Sequence, residues 1–213
     1  MKLLIVAATA QELTGLYDHF EIPKDSFVQT DHFDVLITGV GMTATAFALG
    51  KYLNSDYELL LNVGIAGSFD PSIPLGSLVQ VTEDTFAELG AEDHDDFITI
   101  VDLGFGKNQY HATVEVEDLP KVKAITVNKV HGHASTIAKT HTLFPADIES
   151  MEGAAVLYAC EAAQINCLQV RSISNYVTPR DKAQWQIGKA IKNLNNWLVQ
   201  YVQQYLVNKK LPS

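Results

Sequence analysis

Two short runs carry the side chains with the greatest capacity for chemistry: Ser150-Met151-Glu152-Gly153-Ala154-Ala155, then Arg171-Ser172-Ile173-Ser174-Asn175. In the first, an extended segment turns into a helix at the Met-Glu pair. A carboxylate accepts hydrogen bonds from both hydroxyls of a cis-diol. The thioether beside it offers an apolar, polarisable surface to a sugar face. Met151 and Glu152 therefore suit a ribose. Asn175 closes the second run, and its amide has both a donor and an acceptor. It can bridge N7 and O6 of a 6-oxopurine. Each residue also has a plainer use: Glu152 as a carboxylate at a helix N-terminus, Arg171 in an ion pair, Asn175 in a turn.

Glu12 follows the first strand, in the opening turn of a helix. There the dipole alone favours a carboxylate by about 0.3–1 kcal/mol, so a catalytic use depends on what else meets it. Gly39-Val40-Gly41 and Gly64-Ile65-Ala66-Gly67 read as small-residue turns after buried strands. Their glycines permit positive φ and close approach of backbone to a ligand, but neither run has the spacing of a phosphate loop. His131, His133 and His141 invite a metal reading, yet no carboxylate or cysteine stands at a recognised ligand spacing. A loop with one or two substrate-contacting histidines is the better reading. Neither a metal nor another cofactor is expected.

The elements that must position these residues can be read from hydrophobic pattern. Buried strands are predicted at Lys2–Ala8, Phe33–Thr38, Leu59–Val63, Leu78–Thr85, Ile98–Leu103, Val122–Val130 and Cys167–Ile173. Helices are predicted at Gln11–Phe20, Thr43–Leu53, Thr136–Phe144 and Glu152–Ala163. From Asp181, the apolar residues Trp185, Ile191, Leu194, Leu198, Val202 and Tyr205 keep helical spacing and predict a long terminal helix on the sheet. Glu88–Asp96, with five acidic residues, reads as a solvated or lid loop. Such alternation implies an α/β fold with a mostly parallel central sheet, whose ligands bind beyond the carboxyl ends of the strands.

The 213 residues, 47% hydrophobic and 19% charged, make one globular domain spanning 1–213. A formal charge of −10 argues against a nucleic-acid partner, which needs a basic surface. Arg171 and Arg180 are the only arginines, which constrains any phosphate site. Cys160 and Cys167 are expected as small buried hydrophobes. Thr9, Gln11 and Glu12 interrupt the apolar start, so a signal peptide is not expected. No window approaches the roughly 20 apolar residues of a membrane span. These features predict a soluble cytoplasmic protein with no membrane partner.

Taken in order, Ala7-Ala8-Thr9-Ala10-Gln11-Glu12, Thr38-Gly39-Val40-Gly41, Asn62-Val63-Gly64-Ile65-Ala66-Gly67, Ser150-Met151-Glu152-Gly153-Ala154 and Arg171-Ser172-Ile173-Ser174-Asn175 resemble the nucleoside phosphorylase/nucleosidase superfamily over essentially the entire chain. Within it, Tyr176-Val177-Thr178-Pro179-Arg180-Asp181-Lys182-Ala183-Gln184-Trp185 looks like the futalosine hydrolase family of the alternative menaquinone pathway. The resemblance implies a three-layer αβα domain, a mixed, mostly parallel sheet, and subunits paired near the site. It implies cleavage of the N-glycosidic bond of a purine nucleoside through a ribosyl-cation-like transition state. Glu12 would then activate water, and Arg171 would help order the water and the carboxylates. Met151 would lie beneath the sugar and Glu152 on its hydroxyls, with the backbone of Ala66 and Gly67 along base and ribose. Arg180 or a loop histidine such as His131 would meet the distal benzoate.

Hydrolysis is favoured over phosphorolysis because a phosphate dianion needs cations, and Glu12 would repel it. Methylthioadenosine/S-adenosylhomocysteine nucleosidases place an Asp where Asn175 stands. An Asn donates to a 6-oxopurine without net charge, which points to hypoxanthine as leaving group and to futalosine as substrate. The alternatives are another purine nucleosidase (methylthioadenosine/S-adenosylhomocysteine or inosine type), a purine nucleoside phosphorylase, or a non-catalytic nucleoside-binding module.

Overall fold

In the computed structural model, which describes residues 2–94 and 96–210, strands and helices alternate toward both ends, while six strands follow one another between Tyr57 and Thr126. The strands are β1 (Lys2–Ala7), β2 (Phe27–Gln29), β3 (Phe33–Ile37), β4 (Tyr57–Ser68), β5 (Leu78–Phe86), β6 (Gly90–Asp93), β7 (Asp96–Thr99), β8 (Gln109–His111), β9 (Lys121–Thr126), β10 (Ile148–Ser150) and β11 (Asn166–Tyr176). The helices are α1 (Thr14–Phe20), α2 (Met42–Tyr52), α3 (Ala134–Leu143), α4 (Gly153–Ala163) and α5 (Ile187–Lys210).

Nine strands form one sheet in the order β10-β9-β5-β11-β4-β1-β3-β2, with β8 on β5. The pairs β1–β3, β1–β4, β4–β11, β5–β9 and β9–β10 are parallel, while β2–β3, β4–β10, β5–β8 and β5–β11 are antiparallel. Because β10 pairs with both β9 and β4, this half of the sheet curls back on itself. Its interior is filled by Ala66, Val79, Val81, Val122, Ala124, Ile148 and Ile173.

Side-chain alternation along a strand assigns the two helical layers. Leu3, Ile5 and Ala7 of β1 pack with Leu194, Leu198 and Val202 of α5 and with α1, and all six are buried. Leu4 and Val6 face the opposite way, toward α2 and α4. Fully burying a side chain of this size contributes about 1.5–3 kcal/mol, so α5 is pinned along its length. Cys160 and Cys167 are free thiols within the α2/α4 layer. No described helix is long and apolar enough to cross a membrane.

Four expectations need correction. Gly64-Ile65-Ala66-Gly67 is not a turn: β4 continues through it to Ser68. These glycines have ordinary strand torsions, and their value is space rather than positive φ. Ile98–Leu103 is not a strand beyond Thr99, because the Asp102 carboxylate accepts bonds from the Thr99 amide (3.0 Å) and hydroxyl (2.6 Å) and closes a turn. The acidic segment around it forms the two-stranded β6–β7 hairpin, with Asp95 outside the described residues. Trp185 lies ahead of α5 rather than on it, since Asp181 caps a 3₁₀ turn at Lys182–Gln184.

Candidate active site

Glu12 is held by three donors. Its Oε2 accepts from the Thr9 amide at 2.9 Å and the Thr9 hydroxyl at 3.0 Å, and its Oε1 from the Ile65 amide at 3.1 Å. The bond from the Thr9 amide is the Glu12 half of a capping box on the 3₁₀ turn Ala10–Leu13, which leads into α1. From the other side, buried Asn195 of α5 donates to the Glu12 carbonyl at 2.9 Å and accepts from the Leu16 amide at 3.1 Å. A carboxylate has about four lone-pair sites. Three are used, so the remaining one belongs to Oε1.

Gly64 makes this arrangement possible. A Cβ there would stand 2.8 Å from Glu12 Oε1 and 3.5 Å from Arg171 Nη1. Arg171 is 2% exposed and lies behind the carboxylate. Its Nη1 donates to the Val170 carbonyl at 3.2 Å, and its Nε has no hydrogen-bond partner among the described residues. No ion pair under 4 Å involves it among those residues, so the simple ion-pair reading does not hold. Its charge acts at longer range, favouring the ionised forms of Glu152 and Asp84.

We expect Gly64→Ala to fold, because the new methyl meets the end of a side chain rather than backbone. Its turnover should fall about 10²-fold, the scale of an ångström-sized misplacement of a reacting group. Steady-state rates beside a thermal melt check this; a folded variant with normal rates would contradict it.

Glu152 ends the link between β10 and α4, as the residue before the first helical turn. Its Oε1 accepts from the Gly41 amide at 2.8 Å. Gly39 and Gly41 have φ of 85° and 91°, so this turn does need glycine. Burial pushes the Glu152 carboxyl up from the ordinary range, opposed by the Gly41 amide and the Arg171 charge, while neighbouring Glu12 pushes it further up. Behind it lies Asp84, fully buried and pushed up to about 6 by desolvation despite bonds from Gln169 and Thr126.

Asn175 is carried by an irregularity in β11. Ile173 pairs with Ala66, but the next registered partner is Asn175 on Gly67, so a bulge takes up Ser174. Bulges re-aim side chains. The Asn175 Oδ1 accepts from the Ser174 hydroxyl at 2.8 Å, and Nδ2 donates to the Tyr176 carbonyl at 3.2 Å. One N–H remains for a ligand. Gly67 leaves room, since a Cβ there would be 3.0 Å from Nδ2.

Glu12, Ala66, Gly67, His131, Met151, Glu152, Asn175 and Arg180 all line one cavity of about 370 Å³, at the carboxyl end of the parallel strands. Arg171 stands behind its wall. His131 is occupied: Nδ1 meets Glu149 Oε2 at 2.6 Å and Nε2 meets the Thr140 hydroxyl at 2.9 Å. That leaves ring carbon rather than ring nitrogen for a ligand. His133 and His141 diverge, to Ser135 and to the Phe69 ring. Arg180 stacks on Trp185, its guanidinium carbon 5.2 Å from the ring centroid.

Glu149 and Trp185 line the cavity without having been singled out as site residues. Glu149 sits two residues before Met151 in an extended segment, a spacing that signals a shared face. Trp185 read as a helix-core residue.

The sequence pattern of the phosphorylase superfamily matches residues 4–203. A futalosine hydrolase of Streptomyces coelicolor is 32% identical over 92% of this chain and 93% of its own length. A futalosine hydrolase of Thermus thermophilus is 28% identical over 76% of this chain and 77% of its own. The structure of a 5′-methylthioadenosine/S-adenosylhomocysteine nucleosidase from Helicobacter pylori superposes with a TM-score of 0.82 at 15% identity, covering 96% of this chain and 98% of that one. The last likeness is one of fold.

Proposed function

Because the chain belongs to the phosphorylase superfamily, we propose that it hydrolyses the N-glycosidic bond of futalosine, releasing hypoxanthine and dehypoxanthine futalosine for the alternative menaquinone pathway. Glu12 Oε1, with its one free lone pair, takes a proton from water as the oxygen bonds to C1′. The C1′–N9 bond breaks, and its electron pair leaves with the purine. Glu12 and Glu152 face the cavity where positive charge grows on the sugar. The spare N–H of Asn175 meets negative charge growing on the purine, which is then protonated from solvent. Glu152 holds the sugar hydroxyls against Met151, and Ala66 and Gly67 flank base and ribose. Arg171 acts from behind the wall through its charge, which favours the ionised form of Glu152.

One observation carries the choice of water over phosphate. Glu12, Glu149 and Glu152 all line the cavity, against Arg180 and a His131 already paired to Glu149. Three carboxylates against one unpaired arginine make this lining unfavourable for a phosphate dianion, which needs several cations around it. The test is the sugar product after turnover in phosphate-free and in phosphate buffer. The expected outcome is the same free sugar, at the same rate, in both. A sugar 1-phosphate, or turnover dependent on phosphate, would overturn the hydrolytic assignment.

Arg180, free of acidic partners among the described residues and backed by Trp185, suits the substrate's benzoate. The exposed apolar side chains Val40 on the cavity rim, Phe47 of α2 (75% exposed) and Tyr158 of α4 support pairing of two copies. A cytoplasmic setting completes the proposal.

A further inference from the structure

A line of buried polar side chains crosses the core beneath the Met151–Glu152 turn, and the reaction uses none of them directly. Asn62 of β4 donates to Gln169 Oε1 of β11 at 2.9 Å, and Gln169 Nε2 donates to Asp84 Oδ2 of β5 at 2.7 Å. The Thr126 hydroxyl of β9 donates to Asp84 Oδ1 at 2.8 Å and accepts from the Ala154 amide, also at 2.8 Å. All four side chains are buried. The line ends on the first turn of α4, directly behind Glu152.

Contact at that end is close. A Cβ on Gly153 would lie 2.0 Å from Asp84 Oδ2 and 2.5 Å from Gln169 Nε2, so helix and carboxylate approach only because residue 153 is glycine. Burying a carboxylate is expensive, and apolar replacements of buried charged groups are often as stable or more so. Stability alone gives little reason for this line. Its geometry does: it ties β4, β11, β5 and β9 to the amide that fixes where α4 begins.

We infer that Asp84 and Thr126 are positioning residues, a strut that sets the start of α4 and through it the place of the Glu152 carboxylate. The inference rests on the reading of Glu152 as the ligand of the sugar hydroxyls. The strut reaches the far side of the cavity as well, since Glu152 Oε1 accepts from the Gly41 amide.

Thr126→Val keeps the shape and removes the hydroxyl that joins Asp84 to the Ala154 amide. Its KM should rise about tenfold, as expected for a displaced binding group, with a smaller change in kcat. In a double-mutant cycle with Glu152→Gln, the two KM effects should be strongly non-additive. Asp84→Asn, made alone, should keep a near-normal KM, since the Thr126 hydroxyl can turn to accept from the new amide while Gln169 still donates to its oxygen.

Amide hydrogen exchange reads the strut without substrate: Thr126→Val should speed exchange at Gly41 as well as at Ala154. Full additivity with Glu152→Gln, or faster exchange at Ala154 with Gly41 unchanged, overturns the strut. A Glu152→Gln variant with normal KM instead overturns the ribose assignment, and the Gly41 exchange then still decides the strut. Should Thr126→Val fail to fold, Thr126→Ala is put through the same cycle and exchange measurement.

Discussion

Glu12→Gln is expected to lower turnover by at least ~10²-fold, the usual contribution of a positioned general base, while substrate affinity is largely kept. The substitution preserves shape but replaces one carboxylate oxygen by a donor. Whichever oxygen is replaced, a bond is lost: Oε2 accepts from the Thr9 amide and hydroxyl, and Oε1 from the Ile65 amide. The backbone of Glu12 is held separately, by Asn195 from α5. The loss therefore falls on the rate rather than on the fold. Single-turnover rates and an inhibitor Kd, measured on the same preparation, separate the two. A near-normal rate would remove Glu12 from the mechanism.

Asn175→Asp is expected to lower hypoxanthine release about 10²-fold, the scale seen when a donor to developing negative charge is removed. The surroundings of this residue are specific. Nδ2 donates to the Tyr176 carbonyl, so a carboxylate oxygen placed there would oppose a carbonyl oxygen. Oδ1 already takes the Ser174 hydroxyl. An Asp would also present negative charge to O6 of a 6-oxopurine, whereas an adenine amino group would tolerate it. The kcat/KM of the variant for futalosine and for its 6-amino analogue, each relative to wild type, checks this. Equal losses on both substrates would deny Asn175 a part in choosing the base.

Much of this is legible in the sequence alone, because the decisive residues sit where strand becomes helix or strand becomes turn. Met151 and Glu152 lie where β10 gives way to α4, and Gly39 and Gly41 form the positive-φ turn expected of them. What stayed hidden depended on distant partners. Gly64-Ile65-Ala66-Gly67 looks like a turn locally, yet it extends β4 because it stays paired with β11 up to Asn175, and its glycines leave room for Glu12 and Asn175. Glu149 and His131, eighteen residues apart, show no local sign of their pairing. The bulge at Ser174 depends on the register of β11 against β4. Trp185 has helical spacing with α5, but the cap formed by Asp181 releases it to the cavity. The strut from Asn62 to Ala154 joins residues from four strands and a helix, which no periodicity reveals.

The central claim is that this cavity uses water to release a 6-oxopurine. Its most direct test is a competition between equal concentrations of futalosine and methylthioadenosine in phosphate-free buffer, with free bases separated by chromatography. Hypoxanthine should accumulate from the first time points, with adenine scarcely detectable. Adenine released faster than hypoxanthine would contradict the claim.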